Sequence, residues 1–139
     1  MKSMKKKVFA VVVAAVMLLG SMNVVFAGSN SYEHEFVGGS IAYYDAYCMD
    51  TYGSASTWIY VDGNITNVYT YVSMEFYVDG EDDVFGTDED YSSSVSSGLA
   101  TADAEVSTGS GHTGSRVESD HSSGLGGIPG HSWHLSASN

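Results

Sequence analysis

The stretch TNVYTYVSMEFYV, which covers residues 66–78, decides the fold prediction because its side chains alternate in two ways at once. Apolar residues fall on one parity: Val68, Val72, Met74, Phe76 and Val78. Tyrosines fall on the other parity, at positions 69, 71 and 77. Alternation with a period of two predicts a β-strand with one buried face. A half-buried strand needs only one apolar face. The tyrosines on the second face therefore make that face the first candidate for a functional surface.

Other segments of the chain show the same period of two, separated by residues that are typical of turns. They cover residues 41–49, 55–61, 91–97, 99–107, 115–122 and 131–137. Together with 67–78 they predict an all-β fold, a single small antiparallel β-sandwich of about seven strands and of immunoglobulin size. A small β-barrel is the alternative. The residues Asp62-Gly63-Asn64 predict a hairpin that pairs 55–61 with 67–78.

Residues 1–27 are predicted to be a cleaved signal peptide. Lysines precede an apolar run over residues 8–19, and Val25-Phe26-Ala27 fits a small-x-small cleavage site. The run is short for a membrane span, which needs about 20 residues, so a retained anchor is the weaker alternative. We therefore expect a secreted, extracellular bacterial protein, in which a flexible N-terminal segment at 28–39 precedes a β-sandwich domain at 40–139.

The charge of the chain excludes several classes of partner. Residues 28–139 contain all 17 acidic residues and a single cation, Arg116, so their formal charge is −16. Nucleic-acid binding depends on Lys and Arg that neutralise phosphates, and anionic lipid attracts basic surfaces. Neither nucleic acid nor membrane insertion is therefore expected once the signal is removed. Cys48 is the only cysteine, so we expect a buried thiol, with an intermolecular bridge as the alternative.

The tyrosine-bearing face becomes larger if residues 55–61 and 67–78 pair as a hairpin. Its candidate ligand-binding residues are then Trp58, Tyr60, Tyr69, Tyr71 and Tyr77. Tyr43 and Tyr47 would join them if their strand lies alongside. Flat aromatic rings can stack on sugars, and they also dominate protein–protein hot spots, so a carbohydrate or a protein surface is the expected partner. Two alternatives remain open: rings that only stabilise the sheet in cross-strand pairs, and rings covered by the N-terminal segment 31–37.

The acidic loop 79–90 contains seven carboxylates. Four of them match positions 1, 3, 5 and 12 of an EF-hand loop: Asp79, Glu81, Asp83 and Asp90. Position 6 is Val84, where that loop needs glycine, and the flanking segments are predicted strands, so an EF-hand is not expected. A looser calcium site is the one cofactor that the sequence suggests. The alternative is a solvated loop that protects a sheet edge.

Histidines and serines form no recognisable catalytic pattern. His131 and His134 would share the face of a helix, but a strand sends them to opposite faces, and no Glu lies between them as in zinc proteases. Ser115 lacks the G-x-S-x-G context of a hydrolase nucleophile. The sequence therefore predicts a non-catalytic binding or surface-associated module that uses an aromatic sheet face. A small secreted effector, bacteriocin- or toxin-like, is the alternative, although peptides that attack anionic membranes are usually basic.

Overall fold

The structure, a computed structural model, describes residues 28–61, 67–94 and 99–139. These residues form eight strands: β1 (Gly28–Glu35), β2 (Ile41–Cys48), β3 (Tyr52–Tyr60), β4 (Val68–Val78), β5 (Gly86–Ser94), β6 (Leu99–Ser107), β7 (Gly114–Leu125) and β8 (Ile128–Ser138). In these three ranges no helix is long and apolar enough to cross a membrane. The signal peptide predicted at 1–27 and the turn predicted at 62–64 lie outside the described residues.

The strands form two antiparallel four-stranded sheets. The front sheet has the strand order β1-β2-β3-β6, and the back sheet has the order β5-β4-β7-β8. The prediction of an all-β antiparallel fold is confirmed, and the arrangement is consistent with a small β-sandwich. The alternative of a closed barrel is wrong, because the two sheets are separate.

Complementary side-chain sizes explain how the two sheets pack. The inner face of the back sheet carries bulky residues, including Val68, Val72 and Phe76, which are at most 1 % exposed. The front sheet opposes them largely with alanines: Ala42, Ala46, Ala55, Ala100, Ala102 and Ala104. Large side chains that meet small ones can interdigitate at the density of a protein interior. Alternation in the predicted strand 131–137 places Trp133 on the same inward face as Leu135 and Ala137, but Trp133 is 43 % exposed and lies outside the core.

The predicted hairpin between β3 and β4 is wrong, because the two strands lie in opposite sheets. β3 pairs with β2 and β6, whereas β4 pairs with β5 and β7. Each strand is central in its sheet and turns an apolar face inward, so their inner faces oppose each other. A hydrogen bond crosses the interior between them: Thr57 Oγ1 of β3 donates to the Tyr71 carbonyl of β4 over 2.8 Å.

The N-terminal segment 28–39 differs from the flexible segment predicted there. Residues 28–35 form β1, which pairs with β2 along its whole length. The turn that follows is closed by a hydrogen bond from Phe36 N–H to the Ser40 carbonyl over 2.8 Å. β1 extends the edge of the front sheet, so it does not lie over outward-facing rings, as the covering alternative required.

Aspartates join two open sheet edges at one side of the fold. Asp88 and Asp90 belong to β5, which begins earlier in the chain than the alternation predicted. Their Oδ2 atoms accept the backbone N–H groups of Glu105 and Asp103 in β6, at 2.9 and 3.0 Å. Unpaired N–H groups at a sheet edge are a template for aggregation. Part of the acidic segment therefore protects an edge, as one of the two interpretations of that segment predicted.

Candidate functional site

The five ring residues predicted to form one platform lie on two different surfaces. Trp58 and Tyr60 are on the outer face of the front sheet, and Tyr69, Tyr71 and Tyr77 are on the outer face of the back sheet. The single platform is not formed, because it depended on the hairpin between β3 and β4. Alternation shows which residues of a strand share a face, but it does not show which strand lies beside it.

The strand β2 supplies the rings that complete the outer face of the front sheet. In the β2–β3 register, Tyr43 lies opposite Trp58 and Tyr47 lies opposite Ser54. Tyr43 and Tyr47 therefore join Trp58 and Tyr60, as the sequence predicted for neighbouring strands. We call the half-buried outward residues of these two strands the front face: Ile41, Tyr43, Asp45, Tyr47, Tyr52, Ser54, Ser56, Trp58 and Tyr60.

Two contacts hold Trp58 in the front face. Its ring stacks on Tyr43, with the ring centroids 4.3 Å apart and the planes 19° from parallel. Its Nε1–H donates to Asp45 Oδ2 over 3.2 Å. Aromatic pairs of this kind contribute about 0.5–1.5 kcal/mol beyond their buried area. Both rings are thus positioned before any ligand arrives, which lowers the entropic cost of stacking on them.

Carboxylates surround the rings of the front face. The pKa of Asp45 is raised above its ordinary value. Burial is the largest cause; the hydrogen bond from Trp58 opposes it, and the nearby Glu33 adds to it. Burial and Glu33 likewise raise the pKa of Tyr43. By strand register, three further acids lie on the same side of the sheet: Glu35, Asp103 and Glu105. Since β1, β2, β3 and β6 contain no Lys or Arg, the surface is both aromatic and negative.

Two tyrosines of the back sheet, Tyr69 and Tyr71, make contacts within their own sheet. Tyr69 lies over Gly124 and Gly130, where a Cβ atom at either glycine would collide with the tyrosine side chain. Tyr71 OH donates to Glu89 Oε2 over 3.2 Å. These contacts favour the interpretation that the back-sheet rings stabilise the sheet through cross-strand neighbours.

Tyr77 is the least accessible of the predicted ring residues, with 8 % of its surface exposed. Its hydroxyl donates to Glu75 Oε2 over 2.6 Å, and the Arg116 guanidinium carbon lies 4.1 Å from the ring centroid. The hydrogen bond to Glu75 raises the pKa of Tyr77, and burial adds a smaller increase. The one cation after residue 27 therefore lies over Tyr77, on the sheet opposite the front face.

A groove of about 410 Å³ crosses the outer face of the back sheet. Its lining includes Glu75, Glu89, Glu118, Asp120 and His134. His134 Nδ1 is 2.8 Å from Asp120 Oδ1, and its Nε2 is 2.8 Å from Glu118 Oε2. These two hydrogen bonds raise the pKa of His134. Asp120 and Glu118 are therefore both paired with His134. Among the described residues, no group of three or more His, Cys, Asp or Glu is arranged to hold a metal ion.

The structure does not bring together the four predicted calcium ligands, Asp79, Glu81, Asp83 and Asp90. Asp79 follows β4, where its Oδ1 accepts Thr113 N–H at 2.9 Å and its Oδ2 is 2.6 Å from His112 Nδ1. The bonds to His112 and Thr113 lower the pKa of Asp79. Asp90 lies in β5 beside the middle of β4, about 20 Å along the sheet from Asp79. No single ion can contact all four carboxylates in this arrangement.

A buried polar cluster around His121 was not predicted from the sequence. The only signal was that His121 falls on the inward face of the predicted strand 115–122. His121 is 2 % exposed, its Nδ1 lies 2.8 Å from Thr57 Oγ1, and its Nε2 lies 2.8 Å from Ser119 Oγ. Because Thr57 donates to the Tyr71 carbonyl, His121 Nδ1–H must donate to Thr57. Burial lowers the pKa of His121 to about 4, so the ring is neutral near pH 7. Ser119 is 1 % exposed, so this Ser–His pair is closed to a substrate.

A second cluster, which also escaped the sequence analysis, joins β1 to β8. The His34 and His131 rings stack with centroids 3.7 Å apart, and Tyr32 and Trp133 stack at 4.1 Å. Tyr44 OH lies 2.9 Å from His131 Nδ1, and burial raises the pKa of Tyr44 to about 12. Trp133 lies outside the core, but its stack on Tyr32 holds it between the edges of the two sheets.

The front face is the candidate functional site because Tyr43 and Trp58 are fixed from within the sheet on its outward side. The back-sheet tyrosines, the buried histidine and the β1–β8 cluster all have structural contacts that account for them. Comparison of the chain with protein-family models, with curated protein sequences and with solved structures gives no match.

Proposed function

We propose that the protein is a secreted, non-catalytic module that binds carbohydrate through the front face. The observation that carries the proposal is the Tyr43–Trp58 stack, which Asp45 holds in place on an outward sheet surface. Rings of fixed orientation can cover the apolar C–H face of a sugar with little loss of rotamer freedom.

Polar groups beside the rings can bind sugar hydroxyls. An ionised carboxylate has about four acceptor sites, and the hydrogen bond from Trp58 to Asp45 uses one of them. Ser56 lies opposite Asp45 in the strand register, and Ser54 is the next outward residue of β3. Apolar and aromatic walls with a few placed polar groups are the usual composition of a ligand site.

The distribution of the rings favours a carbohydrate over a protein partner. Hot-spot residues of protein interfaces cluster near the centre of a contact patch. In β3 the aromatic residues stand near the two ends, Tyr52 at one and Trp58 with Tyr60 at the other, with Ser54 and Ser56 between them.

Trp58→Ala is expected to weaken polysaccharide binding at least tenfold, which corresponds to about 1.4 kcal/mol. The reason is that the substitution removes one ring and leaves Tyr43 without its stacking partner. The measurement is retention of residues 28–139 on a panel of insoluble cell-wall and plant polysaccharides, with and without the substitution.

The matched control for Trp58→Ala is Tyr91→Ala, which removes a 60 % exposed ring from the back sheet. It should bind every polysaccharide as the unmodified chain does. Equal loss of binding in both variants, or retention on no polysaccharide at all, would contradict the proposal.

A further inference from the structure

The front face has aromatic groups at two separate places along its strands. Tyr43 and Tyr47 are four residues apart in β2, which corresponds to about 13 Å. Tyr52 and Trp58 are six residues apart in β3, which corresponds to about 20 Å. Tyr47 pairs with Ser54, the next outward residue of β3 after Tyr52, so Tyr47 and Tyr52 lie together at one end. A single sugar cannot contact both ends, whereas an extended chain of sugars can.

The charge of the front face selects among sugar chains. Glu33, Asp45, Asp103 and Glu105 border the rings, and the one cation after residue 27, Arg116, lies over Tyr77 on the other sheet. An anionic polymer would be repelled by this field, and a cationic one would be attracted.

The Tyr43–Trp58 pair adds a specific place for a cation. An ammonium group within about 6 Å of a Trp or Tyr ring is attracted by the ring's quadrupole. Asp45 contacts Trp58 directly, and Glu33 lies opposite Tyr43 in the β1–β2 register. Because the two rings cover one face of each other, an ammonium group over the free face of Tyr43 would meet that ring and the nearby Glu33 carboxylate.

We propose that the ligand of the front face is an extended chain of amino sugars with free amino groups, which lies along β2 and β3. The proposal rests on the carbohydrate-binding function proposed above, and it names the class of ligand. The rings stack on the sugar faces, and the carboxylates bind the protonated amines. The separation of the two aromatic places requires a ligand of several sugar units.

The test is isothermal titration of residues 28–139 with glucosamine oligomers and with their N-acetylated counterparts, each as the disaccharide and the hexasaccharide. We expect the free-amine hexasaccharide to bind at least tenfold more tightly than the N-acetylated one, because acetylation removes the charge. This preference should shrink at high salt. Tyr52→Ala should weaken binding of the hexasaccharide several-fold, and by a larger factor than binding of the disaccharide.

Asp45→Asn is the matched variant, because it removes the charge and keeps an oxygen that can accept the Trp58 hydrogen bond. It should weaken binding of the free-amine hexasaccharide by a larger factor than binding of the N-acetylated hexasaccharide, so the ratio of the two affinities should fall. If both hexasaccharides bind equally and depend on Trp58, the amino-sugar proposal fails but carbohydrate binding stands. If the free-amine oligomer binds Trp58→Ala as well as the unmodified chain, its attraction is nonspecific and the amino-sugar proposal fails. If no oligomer and no polysaccharide binds, both proposals fail.

Discussion

Phe76→Ala is expected to lower the free energy of unfolding by about 3–5 kcal/mol, the cost of a large cavity in a core. Phe76 is 0 % exposed. Cβ atoms placed at Gly53 and Gly114 would lie 2.7 and 2.8 Å from its ring carbons, so backbone packs against the ring on more than one side. Backbone in paired strands cannot close inward over a missing ring as a flexible side chain can. The cost should therefore lie toward the upper part of the range.

Urea denaturation measures this loss, and an unchanged slope would show that the unfolding transition keeps its two-state character. Tyr91→Ala is the control, because its exposed ring can be removed with a change of about 0.5 kcal/mol or less. A loss below about 1 kcal/mol for Phe76→Ala would mean that the packing between the two sheets is not as described.

Acid is expected to destabilise the fold through His121. Burial holds the pKa of His121 at about 4 in the folded chain, whereas an unfolded histidine titrates near 6.5. Below pH 6.5 the unfolded chain therefore binds a proton that the folded chain does not, and stability is lost as the pH falls toward 4. The full loss from this group is about 3 kcal/mol, since one pKa unit corresponds to about 1.4 kcal/mol.

The surroundings of His121 explain why protonation is unfavourable. Its ring faces Thr57 from β3 and Ser119 from β7, and the Tyr44 ring of β2 is 5.4 Å away. Asp120 favours the charged form, but His134 opposes it, and burial is the largest effect.

Two other histidines shift stability with pH in opposite directions. Burial, with the neighbouring His34, lowers the pKa of His131, so its contribution is also lost as the pH falls. The pKa of His134 is raised, so its stabilisation is present at low pH and is lost as the pH rises. Because the His134 side chain is 55 % exposed, solvent screening keeps its contribution small.

His121→Gln separates His121 from the other titrating groups. The variant should lose much of the difference in unfolding free energy between pH 7 and pH 4.5. NMR titration of the unmodified chain provides a check that does not depend on the variant folding, because the His121 ring signals should titrate near pH 4. Titration of those signals near pH 6.5 would contradict the buried, neutral histidine.

The strand faces could be predicted from the sequence because they depend only on local alternation. Phe76 and Val72 were correctly assigned to the core side of β4, and Trp58 to the outward side of β3. The pairing of strands could not be predicted in the same way. β3 and β4 carry compatible alternation and a turn signal between them, so nothing local distinguishes a hairpin from two strands that face each other across a core.

The strand β1 was missed although a signal was present. Tyr32, His34 and Phe36 alternate with Ser31, Glu33 and Glu35, which is the pattern of a strand with an aromatic inner face. The composition of the segment, rich in Gly, Ser and Asn, obscured it. The polar clusters around His121 and Tyr44 could not be predicted from the sequence, for a different reason. Their partners come from other strands that are distant in sequence, so they can be identified only after the topology is known.

The most direct test of the central claim uses Trp58 as its own reporter. The chain has two tryptophans, and Trp133→Phe leaves Trp58 alone while keeping a ring to stack on Tyr32. Carbohydrate binding at the front face predicts a saturable change in Trp58 fluorescence on titration with a retained oligosaccharide, and Asp45→Asn should alter its midpoint. Binding that is detected by calorimetry without any change in Trp58 fluorescence would place the ligand elsewhere and would contradict the account.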